Sequence, residues 1–264
     1  MEVHHHSHTA DPDSHRGRKK WSHYFWEFLM LFLAVFCGFL AENKREHMVE
    51  HYRAKAYAQS LYKDLQNDTA EIEAAALYEN KVTEIIDSLV AFVSSNDPTK
   101  KTGQLYYYMR LAGWAYSIDW NKATLNQLIS SGNLRYFTNT QLVTQISNYN
   151  TLTNIITVYD GSIDAKRNRA AAYRDRIVTA KYQKIFSLIN MDDVVYSRRN
   201  AYIDSLRNTD MPVQQDAADL INAFVNAVLD TKLTRHSQQV KYYPKAVQLA
   251  IEIMELLKKE YHLK

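Results

Sequence analysis

Two stretches of the chain carry residues at metal-ligand spacing. His4, His5, His6 and His8 crowd its start, followed by Asp11, Asp13 and His15. Imidazoles at that density bind Zn2+, Ni2+ or Cu2+ at least weakly. Ordering a polar tail costs entropy, so the affinity expected of this site is modest. The alternative is a polar leader whose positive charge rises below pH about 6.5 as the imidazoles protonate. The second stretch, His47-Met48-Val49-Glu50-His51, spells H-x-x-E-H, the inverted zinc-peptidase pattern. On a helix its histidines share one face, and Glu50 would be the base. Such a site also needs a third ligand, usually a glutamate some tens of residues downstream. The chain has no glutamate between Glu84 and Glu252. We therefore read this motif as the polar face of a helix close to a membrane.

The remaining chemistry-bearing residues are weaker signals. KRNRAAAYRDR, residues 166–176, sets five bases against one acid. It could face an anionic surface, but on a helix those charges spread around the polar side, and no nucleic-acid partner is expected. Tyr106, Tyr107, Tyr108, Trp114, Tyr116 and Trp120 could line a ligand pocket or fill the core and rim between helices. No serine lies in a G-x-S-x-G context, no glycine-rich phosphate loop occurs, and Asp192-Asp193 stand in a turn. The expected class is a non-enzymatic protein without a cofactor, the histidine tail excepted.

The elements that must position these residues are helical. Among 264 residues only 6 are Gly and 4 are Pro, so few turns can interrupt the elements. Cys37, the single cysteine, leaves no internal disulfide and no cysteine-based zinc site. A net charge of +3 points to no particular partner.

From Tyr24 to Ala41 the only charge is Glu27. At 1.5 Å per residue this run is about 27 Å of helix, close to the ~30 Å of a hydrocarbon core. Trp21, Tyr24 and Trp26 supply an interfacial aromatic belt. The small-x-small site of a cleaved signal peptide is missing, because the run ends Gly38-Phe39-Leu40-Ala41. The expected organisation is a polar His-rich tail over 1–20, a transmembrane signal anchor over 21–41 and a helical bundle domain over 42–264. Arg16, Arg18, Lys19 and Lys20 flank one side, and Lys44, Arg45, Arg53 and Lys55 the other. The cluster that abuts the apolar run favours a cytoplasmic N-terminus, hence a periplasmic bundle at the inner membrane. Ala34 and Gly38 form a small-xxx-small pair through which two copies could associate as a homodimer.

Beyond Glu42, apolar residues recur at helical steps through Phe92, and the helix is expected to run from the membrane segment to the SSNDP turn. Further helices are expected over 103–116, over Trp120–Ser131 with a cap at Ser117 or Asp119, and from Thr138 or Asn139 to about Ile189. Others follow over 193–207 and from Val213 to Leu263, with a bend at Pro244. NIITVYDGS could instead be a strand ahead of an Asp160-Gly161 turn. The fold class is all-α: one N-terminal transmembrane helix, then an elongated antiparallel helical bundle.

Three stretches, KKWSHYFWEFLMLFLAVFCGFLAE behind MEVHHHSH, then ATLNQLISSGNLRYF, then IMELLKKEYHLK, resemble a family of single-pass, membrane-anchored helical proteins of Bacteroidota built on a domain of unknown function. The resemblance runs nearly end to end and is most specific in the first block. It implies one membrane pass, a mostly helical remainder and a Gram-negative host. It lends no activity, ligand or catalytic residue. The partners expected are the lipid bilayer and an unidentified membrane or periplasmic protein. A ligand-responsive sensor acting through a partner, with its pocket among the aromatics of 106–120, is the alternative.

Overall fold

The structure, a computed structural model, describes residues 21–95, 97, 100, 102–214 and 217–263. The elements are α1 (Trp21–Ser95), α2 (Thr102–Ala112), α3 (Ala123–Ser130) and a 3-10 turn at Asn133–Tyr136. There follow α4 (Thr140–Ile177), α5 (Ala180–Phe186), α6 (Met191–Val195) and α7 (Ala201–Arg207). The chain ends with α8 (Ala217–Ser237), a π turn at Gln238–Tyr242 and α9 (Tyr243–Tyr261). Among the described residues the fold is all-α, and the only extended pairing is an isolated bridge between Val178 and Val213. By internal contacts the chain divides into two compact units, Met1–Tyr52 and Arg53–Lys264.

In the first unit, α1 is apolar over Tyr24–Ala41 and exposes nearly all of that surface. Leu33 is 43 % exposed, Phe28 64 % and Val35 68 %. It is the one helix among the described residues long and apolar enough to cross a membrane, and none of its apolar window is buried in the protein.

In the second unit, three core clusters give the course of the chain. One joins Ala54–Leu65 of α1 to Leu125 and Leu128 of α3, Leu142–Tyr149 of α4 and Ala250–Tyr261 of α9. The middle one joins Ile72 and Ala75 to Ile118, Leu152 and Ile156, and Tyr243 and Ala246. The last joins Val82–Leu89 to α2, to Ala170 and Ile177 of α4, and to Ala217–Val228 of α8. So α1 and α4 run in one direction. The α2–α3 segment and the α8–α9 segment run in the other, and the four form an antiparallel bundle. Burial of the Leu, Ile and Ala stripe at three- and four-residue steps is what the helical periodicity of α1 encodes.

Several boundaries differ from expectation for local reasons. The helix begun by Asn139, whose side chain accepts from Leu142 N, stops at Ile177 rather than near Ile189. Val178 turns extended to pair with Val213, and Gln214 N donates to Ile177 O at 3.0 Å. NIITVYDGS lies inside α4 and is helical, with no turn at Asp160-Gly161. Neither Ser117 nor Asp119 caps α3, which starts at Ala123; backbone N–H groups of this connection go instead to carboxylates on α1. The 193–207 segment is two short helices, separated by a turn in which Ser197 adopts a left-handed φ of 53°. Val213, the expected start of the last helix, lies with Pro212 in an extended segment. Gly132, at φ 69°, takes a left-handed position after α3.

Residues 178–213 thus form an excursion between α4 and α8, closed at its neck. Tyr106 is the staple: its hydroxyl donates to Pro212 O at 2.9 Å and accepts from Thr179 N at 2.7 Å. The Thr102 hydroxyl bonds both the N–H and the carbonyl of Met211. Gly103 N donates to Thr209 O at 3.0 Å, and a Cβ on Gly103 would stand 2.0 Å from Leu206 O. Only glycine permits this approach of α2 to the end of α7.

Candidate functional site

The sequence-level candidates do not converge. His4, His5, His6 and His8 lie outside the described residues. His47 and Glu50 form a loose pair at 3.7 Å on the surface of α1, with the His47 side chain 71 % exposed. Among the described residues no three His, Cys, Asp or Glu side chains gather as a metal-holding group.

Four of the five cations of the basic run 166–176 are engaged within the fold, and Arg176 is exposed. Lys166 Nζ donates to Thr234 Oγ1 at 2.6 Å, and Arg167 Nε to Gly113 O at 2.7 Å. Arg169 pairs with Asp230, and Arg174 with Asp175 at 2.8 Å.

The aromatic residues likewise separate. Tyr106 is fully buried and stacks on Phe186, while Tyr108 packs on Phe92. Trp114 and Tyr116 close over Tyr78 at ring distances of 5.3 and 5.2 Å. Tyr78 donates to Asp192, and Tyr116 donates to Glu71 at 3.1 Å. These rings bind the 113–122 connection to α1 rather than enclosing one pocket. Tyr107 is the exception, because it lines a cleft.

Two features escaped the sequence reading. The first is a line of buried polar residues along the bundle axis. Asp68 accepts from Asn121 N and from the Tyr149 hydroxyl, both at 2.8 Å. Burial raises the Asp68 carboxyl, opposed by those two bonds. Further along, Glu79 and Arg235 are almost wholly buried and meet at 3.4 Å, with Arg235 Nη2 also donating to Trp114 O at 2.7 Å. Glu79 Oε2 and Arg235 Nε make no hydrogen bond in the structure. Burial pushes the Glu79 carboxyl up to about 7 against the pull of Arg235, with Asp160 adding to the rise. Burial pulls the Arg235 guanidinium down, and Glu79 opposes it. Gln238, in the π turn, donates to Asp160 Oδ1 at 2.7 Å. A half-satisfied buried pair costs desolvation energy and specifies alignment more than it adds stability. Here it fixes α1, α8 and the 113–122 connection in register.

The second feature is the cleft beneath the excursion, about 570 Å³ in volume. Lys81 of α1 and Gln104 and Tyr107 of α2 form one wall; the excursion supplies Asn190, Asp193, Arg198, Arg199, Asp204, Arg207 and Asn208. Arg207 is held in place: Nε donates to Gln104 Oε1 at 2.9 Å, Nη1 lies 3.5 Å from Asp204, and the guanidinium stands 4.2 Å over the Tyr107 ring. Arg198 pairs with Asp193 at 3.5 Å. A spacing-based reading misses this cleft because its cations come from positions 81, 198, 199 and 207. The adjacent Arg198-Arg199 was the one local sign. The size falls within that of small-molecule sites, roughly 300–1,000 Å³.

No family model, curated protein or solved structure matches this chain.

Proposed function

We propose that this chain is a single-pass membrane protein in which residues 21–41 anchor a helical bundle that works by binding rather than by catalysis. The exposure of Phe28, Leu31, Val35 and Phe39, on successive turns of a helix apolar on all sides, carries the reading. Such a surface is costly in water and suited to hydrocarbon. The belt of Trp21, Tyr24 and Trp26 supports the same placement, as does the resemblance to the Bacteroidota family. The basic cluster before Trp21 favours a cytoplasmic N-terminus and a bundle in the periplasm of a Gram-negative cell. A scaffolding role is supported by the employment of Tyr106, Trp114, Arg167 and Arg235 in holding the fold. Self-association through Ala34 and Gly38 belongs to the same proposal; nothing lies within 4 Å of where a Gly38 Cβ would stand.

A C-terminal alkaline phosphatase fusion tests the placement. Activity in a bacterial host is the expected result; an inactive fusion that is active as a cytoplasmic reporter overturns the orientation. The sensor reading is favoured by one observation, the cleft at Tyr107. Zinc titration of the full chain, with and without His4, His5, His6 and His8 replaced by Ser, tests the tail. Equal affinity in the two would end metal handling there.

A further inference from the structure

We infer that the cleft between α2 and the 178–213 excursion binds a small phosphate monoester, with the phosphate held by Arg199, Arg207 and Lys81. This rests on reading the protein as a binding module but not on its membrane placement.

Charge argues first. Four cations (Lys81, Arg198, Arg199 and Arg207) line the cleft against two carboxylates, Asp193 and Asp204. Each carboxylate already faces an arginine, at 3.5 Å in both cases. Arg199 has no ion-pair partner among the described residues, and Lys81 pairs with Glu84, which is not in the lining. The lining has four cations against two carboxylates, a formal balance of +2 that Glu84 partly offsets through Lys81, so the cleft presents a net positive wall to a monoester, which carries about −1.5 to −2 near neutral pH.

Preorganisation argues second. Arg207 is fixed by Gln104, Asp204 and the Tyr107 ring, so its planar fork is oriented before a ligand arrives. Arg198 and Arg199 follow Ser197, whose left-handed φ of 53° costs a non-glycine residue energy. The turn is held by Ser197 N donating to Val194 O at 3.3 Å and Arg198 N to Asp193 O at 2.7 Å. The two arginines therefore stand on a defined turn.

The cleft is also larger than a phosphate needs. Gln104, Asn190 and Asn208 lie in the lining as amides suited to hydroxyl groups, and Ile189 and Ile203 supply apolar wall. That composition fits a phosphorylated polyol, either a free sugar phosphate or the headgroup of a phosphorylated lipid.

The test is calorimetric titration of the full chain in detergent with glucose 6-phosphate, glucose and inorganic phosphate, alongside flotation with vesicles containing a phosphatidylinositol monophosphate. Saturable binding of glucose 6-phosphate is expected, with no heat from glucose. Arg199→Ala, on an exposed side chain, and Arg207→Lys, which keeps charge but loses the fork, should each weaken it about tenfold or more. Unchanged melting temperatures would show that both variants fold. Preference for the vesicles over the free ester, lost in Arg199→Ala, assigns the headgroup as the source and still supports the site. Absence of binding to ester and vesicle alike up to ~10 mM phosphate overturns the proposal, as does equal binding by wild type and both variants. An inactive topology fusion would leave these outcomes untouched.

Discussion

Helix α1 contains two apolar stretches with opposite relations to their surroundings. Over Tyr24–Ala41 it is apolar on every side and exposed; over Ala54–Leu89 its apolar residues form a stripe that is buried. The second stretch has found its solvent inside the protein: Leu61, Leu65, Ile72, Val82, Ile86 and Leu89 meet α4 and the returning segments. The first finds none within the fold. The buried stretch also holds ionisable groups, at Asp68 and Glu79, which hydrogen bonds and Arg235 compensate in part. Apolar content alone therefore does not separate a membrane segment from a core helix; the width of the apolar face and the compensation of its charges do.

The comparison can be broken from either side. The largest effect is expected in the exposed stretch. Leu31→Arg with Val35→Arg places two cations on one face near its centre, at a cost of about 6 kcal/mol from ~3 kcal/mol each. Detergent-phase partitioning should fall sharply, while the melting temperature of the bundle stays put. In the buried stretch, Arg235→Met leaves Glu79 without its cation and should cost roughly 3–5 kcal/mol in urea unfolding at pH 8. Adding Glu79→Leu should recover most of that loss; a double variant no more stable than the single one would mean that the pair itself contributes the stability.

A pH series sharpens the point. The Glu79 carboxyl sits near 7 when folded, against an ordinary 4.5. The folded form keeps its proton between those values while the unfolded form has released it. Glu79 thus favours folding most below about pH 4.5, and this contribution declines as pH rises through 7, on the order of 3 kcal/mol in total. Asp68 and Asp160, both also raised by burial, contribute with the same sign. Wild type minus Glu79→Gln, from urea midpoints across pH 4 to 8, isolates the Glu79 share; a difference that does not vary with pH would contradict it. The smallest effect is local. Gly103→Ala drives a Cβ into Leu206 O and should cost about 1–3 kcal/mol, seen as faster hydrogen exchange in residues 201–211 with α8 and α9 unaffected.

Much of this architecture was legible from periodicity. The 3- and 4-residue steps of α1 are local signals and gave the bundle, whereas the C-terminal stripe expected at Val247, Ala250, Ile251, Met254, Leu257 and Tyr261 is turned slightly, with Ala246, Ala250, Ile253, Leu257 and Tyr261 buried and Ile251 exposed. Boundaries set at a distance were not legible. Nothing near Ile177 ends a helix; Val213, far along the chain, and the Tyr106 hydroxyl do. Glu79 and Arg235 each look like solvated charges in sequence and become a buried pair only when α8 folds back on α1. The cleft gathers its cations from elements that meet only in the finished fold. The aromatic run at 106–120 was visible, but its residues' separate packing partners were not.

Alkaline extraction of membranes carrying the full chain is the most direct test of the anchor. The account predicts that the wild-type chain stays with the bilayer at pH about 11 and leaves it when Leu31 and Val35 are arginine. A wild-type chain released into the supernatant in folded, monodisperse form would contradict it.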